Sequence, residues 1–250
     1  MTRIFKAFAV AVAIVAGNLG FKLAAQEGDP VEGARIAAEL RSIRPAEETR
    51  WRGEFKQKAA DGSRISIPVT CDILIQSNRW LASYVTQALP GRMAEKLVIV
   101  RSDDGSTEYL HWQAGDDGAF PLEPRRLTGA AAAIPFAGTD FLLTDFGLEF
   151  LRWPTQKLLP GEMRRGFPCY VLESVNPRPD ASYSLVRSWI EKEHLGLMLA
   201  EAVGPTGEHF KEFTAGSFVK DAEGNYQLKD MEMRTRGTGW TRLEFDIEGK

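Results

Sequence analysis

The chain has 250 residues, 44% of them hydrophobic, and its 31 basic and 34 acidic residues give a formal net charge of −3 at pH 7. This slightly acidic balance lacks the positive surface that binds nucleic acids or anionic membranes, so it argues against both as partners. The length suits a single domain with a sizeable core.

The first 25 residues have the three parts of a cleavable secretory signal. Two basic residues precede an apolar run over 7–16, and small residues at 24–25 stand at the usual cleavage position. The alternative is an uncleaved membrane anchor, but the run is only about half of the roughly 20 apolar residues that cross a bilayer. We therefore expect 1–25 to be a signal peptide and 26–250 to form one exported domain without a stable membrane span. Cleavage removes three basic residues and no acid, which leaves 28 basic against 34 acidic residues, a net charge of −6.

The mature chain is predicted to begin with a helix. Asp29 is a favourable N-cap, Pro30 suits the first helical position, and Glu32 stands three residues after the cap. The apolar positions that follow reach Ser42, and Pro45 ends the helix.

From about residue 50 the hydrophobic period changes to two, which is typical of half-buried strands. Pro68 lies on the polar face of the clearest strand, and its missing N–H predicts a sheet edge or a bulge there. The apolar face of that strand carries Ile65, Ile67, Val69, Cys71, Ile73 and Ile75. Further strands are predicted at 51–59, 79–87, 95–102, 106–113, 155–159, 166–175, 182–191, 197–203, 208–217, 225–235 and 239–247.

Short turns join these strands, so the sequence predicts an antiparallel meander rather than alternating β-α units. Such a sheet has to hide its edges by curling into a barrel or by packing against helices.

A segment between the two groups of strands has a different character. Phe146, Phe150 and Trp153 fall at helical spacing, with Thr144 or Asp145 as the predicted cap. An aromatic-faced helix at this place is either a lid over an opening in the sheet or a plug that completes the core.

The chain has two cysteines, Cys71 and Cys169. An exported protein can form a disulfide between them, and the alternative is a pair of buried thiols that act as small apolar side chains. The sequence leaves both readings open.

No motif for catalysis or metal binding is found. The three histidines, His111, His194 and His209, lack the spacing of a metal site, and there is no nucleophile elbow and no phosphate-binding glycine loop. We therefore expect neither an enzyme nor a cofactor or metal, and an uncharacterised hydrolase with dispersed catalytic residues is the weakest alternative.

The second half of the chain resembles the outer-membrane lipoprotein-sorting (LolA-like) family. The resemblance depends on the order and spacing of several short motifs over residues 135–245, and Glu191 stands where the family usually has Asp after Trp-Ile. The matching motifs are Gly138-Thr-Asp-Phe141, Asp145-Phe146, Cys169-Tyr-Val-Leu-Glu173, Tyr183 to Ile190, Leu197-Met-Leu-Ala-Glu201, and Gly207 to Phe213.

The resemblance implies a strongly curved, incomplete antiparallel β-barrel of about 11 strands, in an α+β fold that is mostly β. It is covered by the N-terminal helix and by a central lid or plug helix. It also implies a periplasmic carrier or chaperone whose apolar cavity receives the acyl chains of lipids or lipoproteins on their way to the outer membrane, and envelope membrane proteins are further candidate partners.

The residues expected to face such a cavity come from the long strand and from the aromatic segment. A non-catalytic scaffold, whose barrel is filled by its own side chains and whose surface binds an envelope partner, is the main alternative. The candidate cavity residues are Ile67, Val69, Ile73, Phe141, Phe146, Phe150 and Trp153.

Overall fold

The computed structural model describes residues 28–178, 183–220, 226–237 and 239–246. The predicted signal peptide, residues 1–25, lies outside the described residues. Within the described part, no helix is both long enough and apolar enough to cross a bilayer.

The described residues form fifteen strands and two α-helices, together with two 3₁₀ turns at Gly129–Ala132 and Glu149–Arg152. The helices are α1 (Pro30–Ser42) and α2 (Leu143–Phe146). The strands are β1 (Thr49–Ala59), β2 (Arg64–Gln76), β3 (Arg79–Thr86), β4 (Glu95–Ser102), β5 (Thr107–Gln113), β6 (Arg125–Leu127), β7 (Thr155–Arg164), β8 (Phe167–Val175), β9 (Leu185–Glu191), β10 (Leu197–Val203), β11 (His209–Ala215), β12 (Phe218–Lys220), β13 (Tyr226–Leu228), β14 (Asp230–Thr235) and β15 (Gly239–Phe245).

Thirteen of the strands form one curved, unclosed antiparallel sheet in the order β6-β5-β4-β3-β2-β1-β15-β14-β11-β10-β9-β8-β7. Its two halves meet where β1 pairs with β15, so the first and last strands of the domain join at the middle of the sheet. β12 and β13 form a separate two-stranded ribbon between β11 and β14. The predicted fold class is confirmed, and the sheet has more strands than the expected number of about 11.

Helix α1 begins as the sequence predicts. The Asp29 carboxylate accepts hydrogen bonds from the backbone N–H groups of Val31 and Glu32 at 2.9 and 3.0 Å. Asp29 also pairs through its backbone with Leu158 of β7, so the cap residue ties the helix to the edge strand. A Cβ on Gly33 would lie 2.7 Å from the backbone of Lys157, so only glycine allows the helix to lie this close. The helix therefore packs along β7, an edge strand of the sheet.

Strand β2 has the predicted alternation. Ile67, Val69 and Cys71 are at most 3% exposed and face the core, while Ile73 is partly buried against the same cluster. The carbonyl of Pro68 accepts from the N–H of Gln87, immediately after β3 ends. The missing donor of Pro68 therefore falls just beyond the end of β3. The prediction of an edge or a bulge is nevertheless wrong for the described residues, because β2 is an interior strand and Pro68 pairs in unbroken register with Glu54 of β1.

The central aromatic segment differs from the prediction of one continuous helix. α2 has only four residues, and Leu148 then adopts a left-handed backbone with φ of +47° before the second 3₁₀ turn. Asp145 is not the cap; its carboxylate accepts from the N–H of Leu142, three residues before it, at 2.7 Å. The break at Leu148 sends Phe146 and Phe150 into different clusters, so the predicted single aromatic stripe does not form.

Most of the concave face of the sheet is covered by the protein's own side chains. The loop before α2 inserts Phe136 and Phe141 against Phe55 of β1, with ring centroids 6.0 Å apart in both pairs. Phe146 packs on Phe141 at 5.2 Å and on Tyr84 at 4.6 Å. This aromatic cluster fills the centre of the concave face, and the space that remains open lies around it.

Candidate functional site

The larger apolar opening lies on the concave face beside α2, and we call it the main cavity. Its volume is about 550 Å³, within the range of about 300–1,000 Å³ that is common for ligand sites. The β12–β13 ribbon contributes Phe218 and Leu228 to it. The sheet and the central segment contribute Trp51, Tyr84, Phe146, Phe213, Met231 and Phe245.

A second cavity of about 350 Å³ adjoins the main cavity, and we call it the side cavity. Leu148 and Leu197 line both, so these two side chains stand between them. Ile190, Leu195, Phe150 and Leu151 make most of the remaining wall apolar, and α1 contributes Leu40.

The structure places the seven sequence-predicted cavity residues in four different locations. Phe141 and Phe146 line the main cavity, and Phe150 lines the side cavity. Ile67 and Val69 are buried in the core beneath the aromatic cluster, and Ile73 packs against the same core while partly exposed.

Trp153 lies elsewhere, beside a polar recess of about 540 Å³. That recess also contains Arg41, Arg152 and Gln156, so its wall differs in character from the two apolar cavities.

A buried charged cluster holds α2 against the sheet. Lys211 Nζ of β11 lies 2.7 Å from Asp145 Oδ2 and donates to the Tyr183 hydroxyl at 2.9 Å. The Tyr183 hydroxyl in turn donates to Asp145 Oδ1 at 3.3 Å. The Lys211 side chain is only 4% exposed, and Asp145 lines the main cavity.

These three residues come from three separate motifs of the family resemblance. Burial, and then the Asp145 carboxylate, raise the pKa of the Tyr183 hydroxyl, which therefore remains a protonated donor at neutral pH. Because each charge in the cluster has a partner, the cluster can stay buried beside an apolar cavity. Its position indicates that it anchors the cavity wall.

The turn after α2 depends on a close approach to β5. A Cβ on Gly147 would lie 1.9 Å from the Tyr109 hydroxyl, so no larger residue fits without displacing the turn. The Tyr109 hydroxyl donates to Glu149 at 3.0 Å, and the Gly147 carbonyl accepts from Arg101 at 2.7 Å. These contacts position Leu148 between the two cavities.

The histidines lie in three different places. His111 contacts Glu95 at 2.8 Å, His194 contacts Glu191 at 3.1 Å, and His209 lies 3.6 Å from Glu201.

One group in the described residues brings together three side chains that could bind a metal, namely Glu191, Glu193 and His194. The buried Glu191 carboxylate accepts the backbone N–H groups of the other two at 2.7 Å, so it stabilises the β9–β10 turn.

Both cysteines are free thiols in the structure. Cys71 belongs to the core under β2, whereas Cys169 of β8 packs in a separate cluster with Val171, Trp189 and Met198. This arrangement corresponds to the alternative of two buried apolar thiols.

Most of the main-cavity wall is not predicted by the sequence. Phe213, Met231 and Phe245 lie on late strands whose alternation was recognised, but the pattern alone does not tell a cavity wall from a filled core. Tyr183 and Lys211 were recognised only as parts of motifs. Their distance of 28 positions in the chain gave no sign that they meet.

A family model described as "Uncharacterized protein" matches residues 122–247, just over half of the chain. No curated protein matches.

Among solved structures, the chain is similar to a domain named for outer membrane lipoprotein sorting from Vibrio parahaemolyticus, with a TM-score of 0.69 and 17% identity over 88% of this chain and 92% of that one. It is also similar to a DUF1329 family protein from Desulfovibrio piger (TM-score 0.67, 15% identity, 89% and 95% covered). A LolA superfamily protein from Nitrosomonas europaea matches with a TM-score of 0.55 and 14% identity over 86% and 91%. At these identities the likeness establishes a shared fold.

Proposed function

The chain belongs to the family whose model matches residues 122–247 and has a LolA-like fold, and from that premise we propose that it is a non-catalytic carrier that binds acyl chains of a lipid or lipoprotein in the main cavity. We place its work in the periplasm, after export. The observation that carries the proposal is an apolar opening of about 550 Å³ on the concave face of the sheet.

The energetics favour an acyl chain as the ligand. Burying one methylene contributes roughly 0.8 kcal/mol, so a chain of about sixteen carbons contributes on the order of 10 kcal/mol before ordering costs. Apolar burial alone therefore supports useful affinity, and no reacting group is needed.

Residues of the cavity wall are held in place by contacts with neighbouring side chains. Phe146 on its wall packs against Phe141 and Tyr84, and Asp145 beside it is held by Lys211. A wall fixed in this way loses little conformational freedom when the ligand enters, which favours binding.

Phe218 offers a test at the mouth of the main cavity, because it is 41% exposed and belongs to the short β12–β13 ribbon. Phe218→Asp should raise the Kd for an uncharged pyrene-labelled long-chain alcohol by about tenfold or more, since removal of a buried aromatic contact costs roughly 1.5–3 kcal/mol. Fluorescence titration of delipidated protein measures the effect.

Phe167→Asp is the matched control, because Phe167 is 51% exposed at the start of β8 and does not line the main cavity. The control should bind the probe like the unmodified protein. Equal loss in both variants, or no binding by the unmodified protein, would contradict the carrier proposal.

A second candidate, the non-catalytic scaffold, is favoured by one observation. Phe55, Phe136 and Phe141 are at most 1% exposed and fill the centre of the concave face. Native mass spectrometry of protein purified from its own cell envelope separates the two functions. A co-purifying lipid supports the carrier, and an empty protein that also rejects the probe supports the scaffold.

A further inference from the structure

Arg101 is a cation on the inner face of β4, at the opposite end of the strand from Glu95, which lies on the same face and contacts His111. Arg101 follows Leu97 and Ile99 at alternate positions of the strand, and both of those side chains are at most 1% exposed in the core. Alternation therefore points the Arg101 side chain to the concave side, where it lines the side cavity.

The Arg101 guanidinium has few partners. Its Nη2 donates to the Gly147 carbonyl at 2.7 Å, and its Cζ lies 5.0 Å from the centre of the Trp80 ring. Its Nε is buried without a hydrogen-bond partner, and within the described ranges no carboxylate forms an ion pair with it. Four of its five N–H donors are therefore not used by the described protein groups.

The surrounding charges do not neutralise the Arg101 guanidinium. Desolvation and then the like charge of Arg152 lower the pKa of Arg101. The carboxylate of Glu149 acts on it from a distance and is already bonded to Tyr109.

Arg44, the other cation that lines the side cavity, already has a counter-charge. Arg44 contacts Asp103 at 2.6 Å and donates to the Gln76 carbonyl at 3.0 Å. Its charge is neutralised within the chain, so Arg101 is the cation in this cavity that still lacks a counter-charge among the described residues.

A partly buried, unpaired cation is unfavourable unless something neutralises it. The side cavity offers an anion an apolar wall immediately beside that cation, formed by Leu148, Leu195 and Leu197. An amphiphile with an anionic head and an apolar tail satisfies both features at once.

We propose that the side cavity binds one unesterified fatty acid, with its carboxylate on Arg101 and its chain along the leucine wall. A carboxylate suits a single guanidinium, and a cavity of about 350 Å³ is at the small end of ligand sites, which favours one chain over a two-chain phospholipid. The proposal rests on the proposed acyl-binding function, extends it from the main cavity to the adjoining side cavity, and adds the chemical class of the head group.

The test compares palmitate with hexadecanol, which has the same chain and no charge, by isothermal titration of the delipidated mature protein. Charge-assisted hydrogen bonds predict a preference for palmitate of about tenfold or more. Arg101→Met should abolish that preference, and Arg101→Lys should retain part of it.

Thermal unfolding without ligand adds a readout that a merely structural role would not give. Arg101→Met should melt at nearly the same temperature as the unmodified protein, because removal of an unpaired, desolvated cation offsets the loss of its hydrogen bond to the Gly147 carbonyl. Arg92→Met is the matched control, since Arg92 also donates to a backbone carbonyl, that of Ala137, outside the side cavity. It should keep the palmitate preference.

Equal affinity of the unmodified protein for palmitate and hexadecanol would overturn the head-group assignment and leave the acyl-carrier function standing. Binding of neither would overturn both. A phosphatidylglycerol adduct that displaces palmitate in native mass spectra would overturn the assignment of a single-chain ligand.

Discussion

A charged, hydrogen-bonded cluster lies beside the apolar main cavity, and it consists of Lys211, Asp145 and Tyr183. Such a cluster contributes less to net stability than its short distances suggest, because desolvation of the charges opposes their attraction. Removing one member is more costly, since the remaining charge stays buried without a partner.

Lys211→Met should therefore lower the free energy of unfolding by about 3–5 kcal/mol, measured by urea denaturation. Arg35→Met is the control, because it breaks an ion pair with Glu32 in which both side chains are more than 40% exposed. Exposed pairs contribute about 0–1 kcal/mol, so the control should be nearly neutral. A loss for Lys211→Met no larger than that of Arg35→Met would contradict the anchoring role.

The two cysteines permit a second prediction at the scale of single residues. The denatured, unreduced protein should titrate two free thiols per chain, as the structure has them. In the folded protein both should react slowly near neutral pH, because burial raises the pKa of the Cys71 and Cys169 thiols and keeps the nucleophilic thiolate scarce. Raising the pH should speed the reaction. A protein with no titratable thiol would restore the disulfide reading.

At the scale of elements, the turn between α2 and the second 3₁₀ turn decides the shape of the central segment. Gly147→Ala should destabilise the fold by about 1–3 kcal/mol, because the added Cβ overlaps the Tyr109 hydroxyl. It should also weaken acyl binding, since Leu148 stands between the cavities.

Gly196→Ala is the matched control for this turn, because an added Cβ there has no neighbour within 4 Å. Its thermal midpoint should stay close to that of the unmodified protein. If the Gly147→Ala variant has the same thermal midpoint as the Gly196→Ala variant, the turn tolerates a side chain at this position.

The sequence predicts an element correctly where interactions between residues close in the chain determine it. Asp29 and Pro30 define the start of α1, and the alternation of β2 requires nothing beyond its own residues. The central helix failed as a prediction because its end at Leu148 depends on Tyr109, which lies almost forty positions earlier in the chain. Hydrophobic periodicity indicates a tendency to form a helix, but it does not indicate a contact with a residue as distant in the chain as Tyr109.

At the scale of the whole molecule, the export prediction is still to be tested. When the full chain is expressed in a bacterium with a periplasm, mass spectrometry should find a mature amino terminus close to residue 26 in the soluble periplasmic fraction. Cleavage follows from the basic start, the short apolar run and the small residues at 24–25. An intact Met1 in the membrane fraction would instead support an anchor.

The curved, incomplete barrel was implied by the family resemblance, whereas the sequence by itself determined the antiparallel β pattern, the start of α1, the core face of β2 and the absence of recognisable catalytic motifs. These features depend on periodicity, capping and residue type, which act over a few positions. Only the tertiary structure decided that Ile67 and Val69 are covered core, that Phe146 and Phe150 line different cavities, and that Arg101 has no carboxylate partner among the described residues. Those outcomes depend on which side chains from distant strands meet on one concave face. The pattern of residues along a single sequence does not show which distant side chains come into contact.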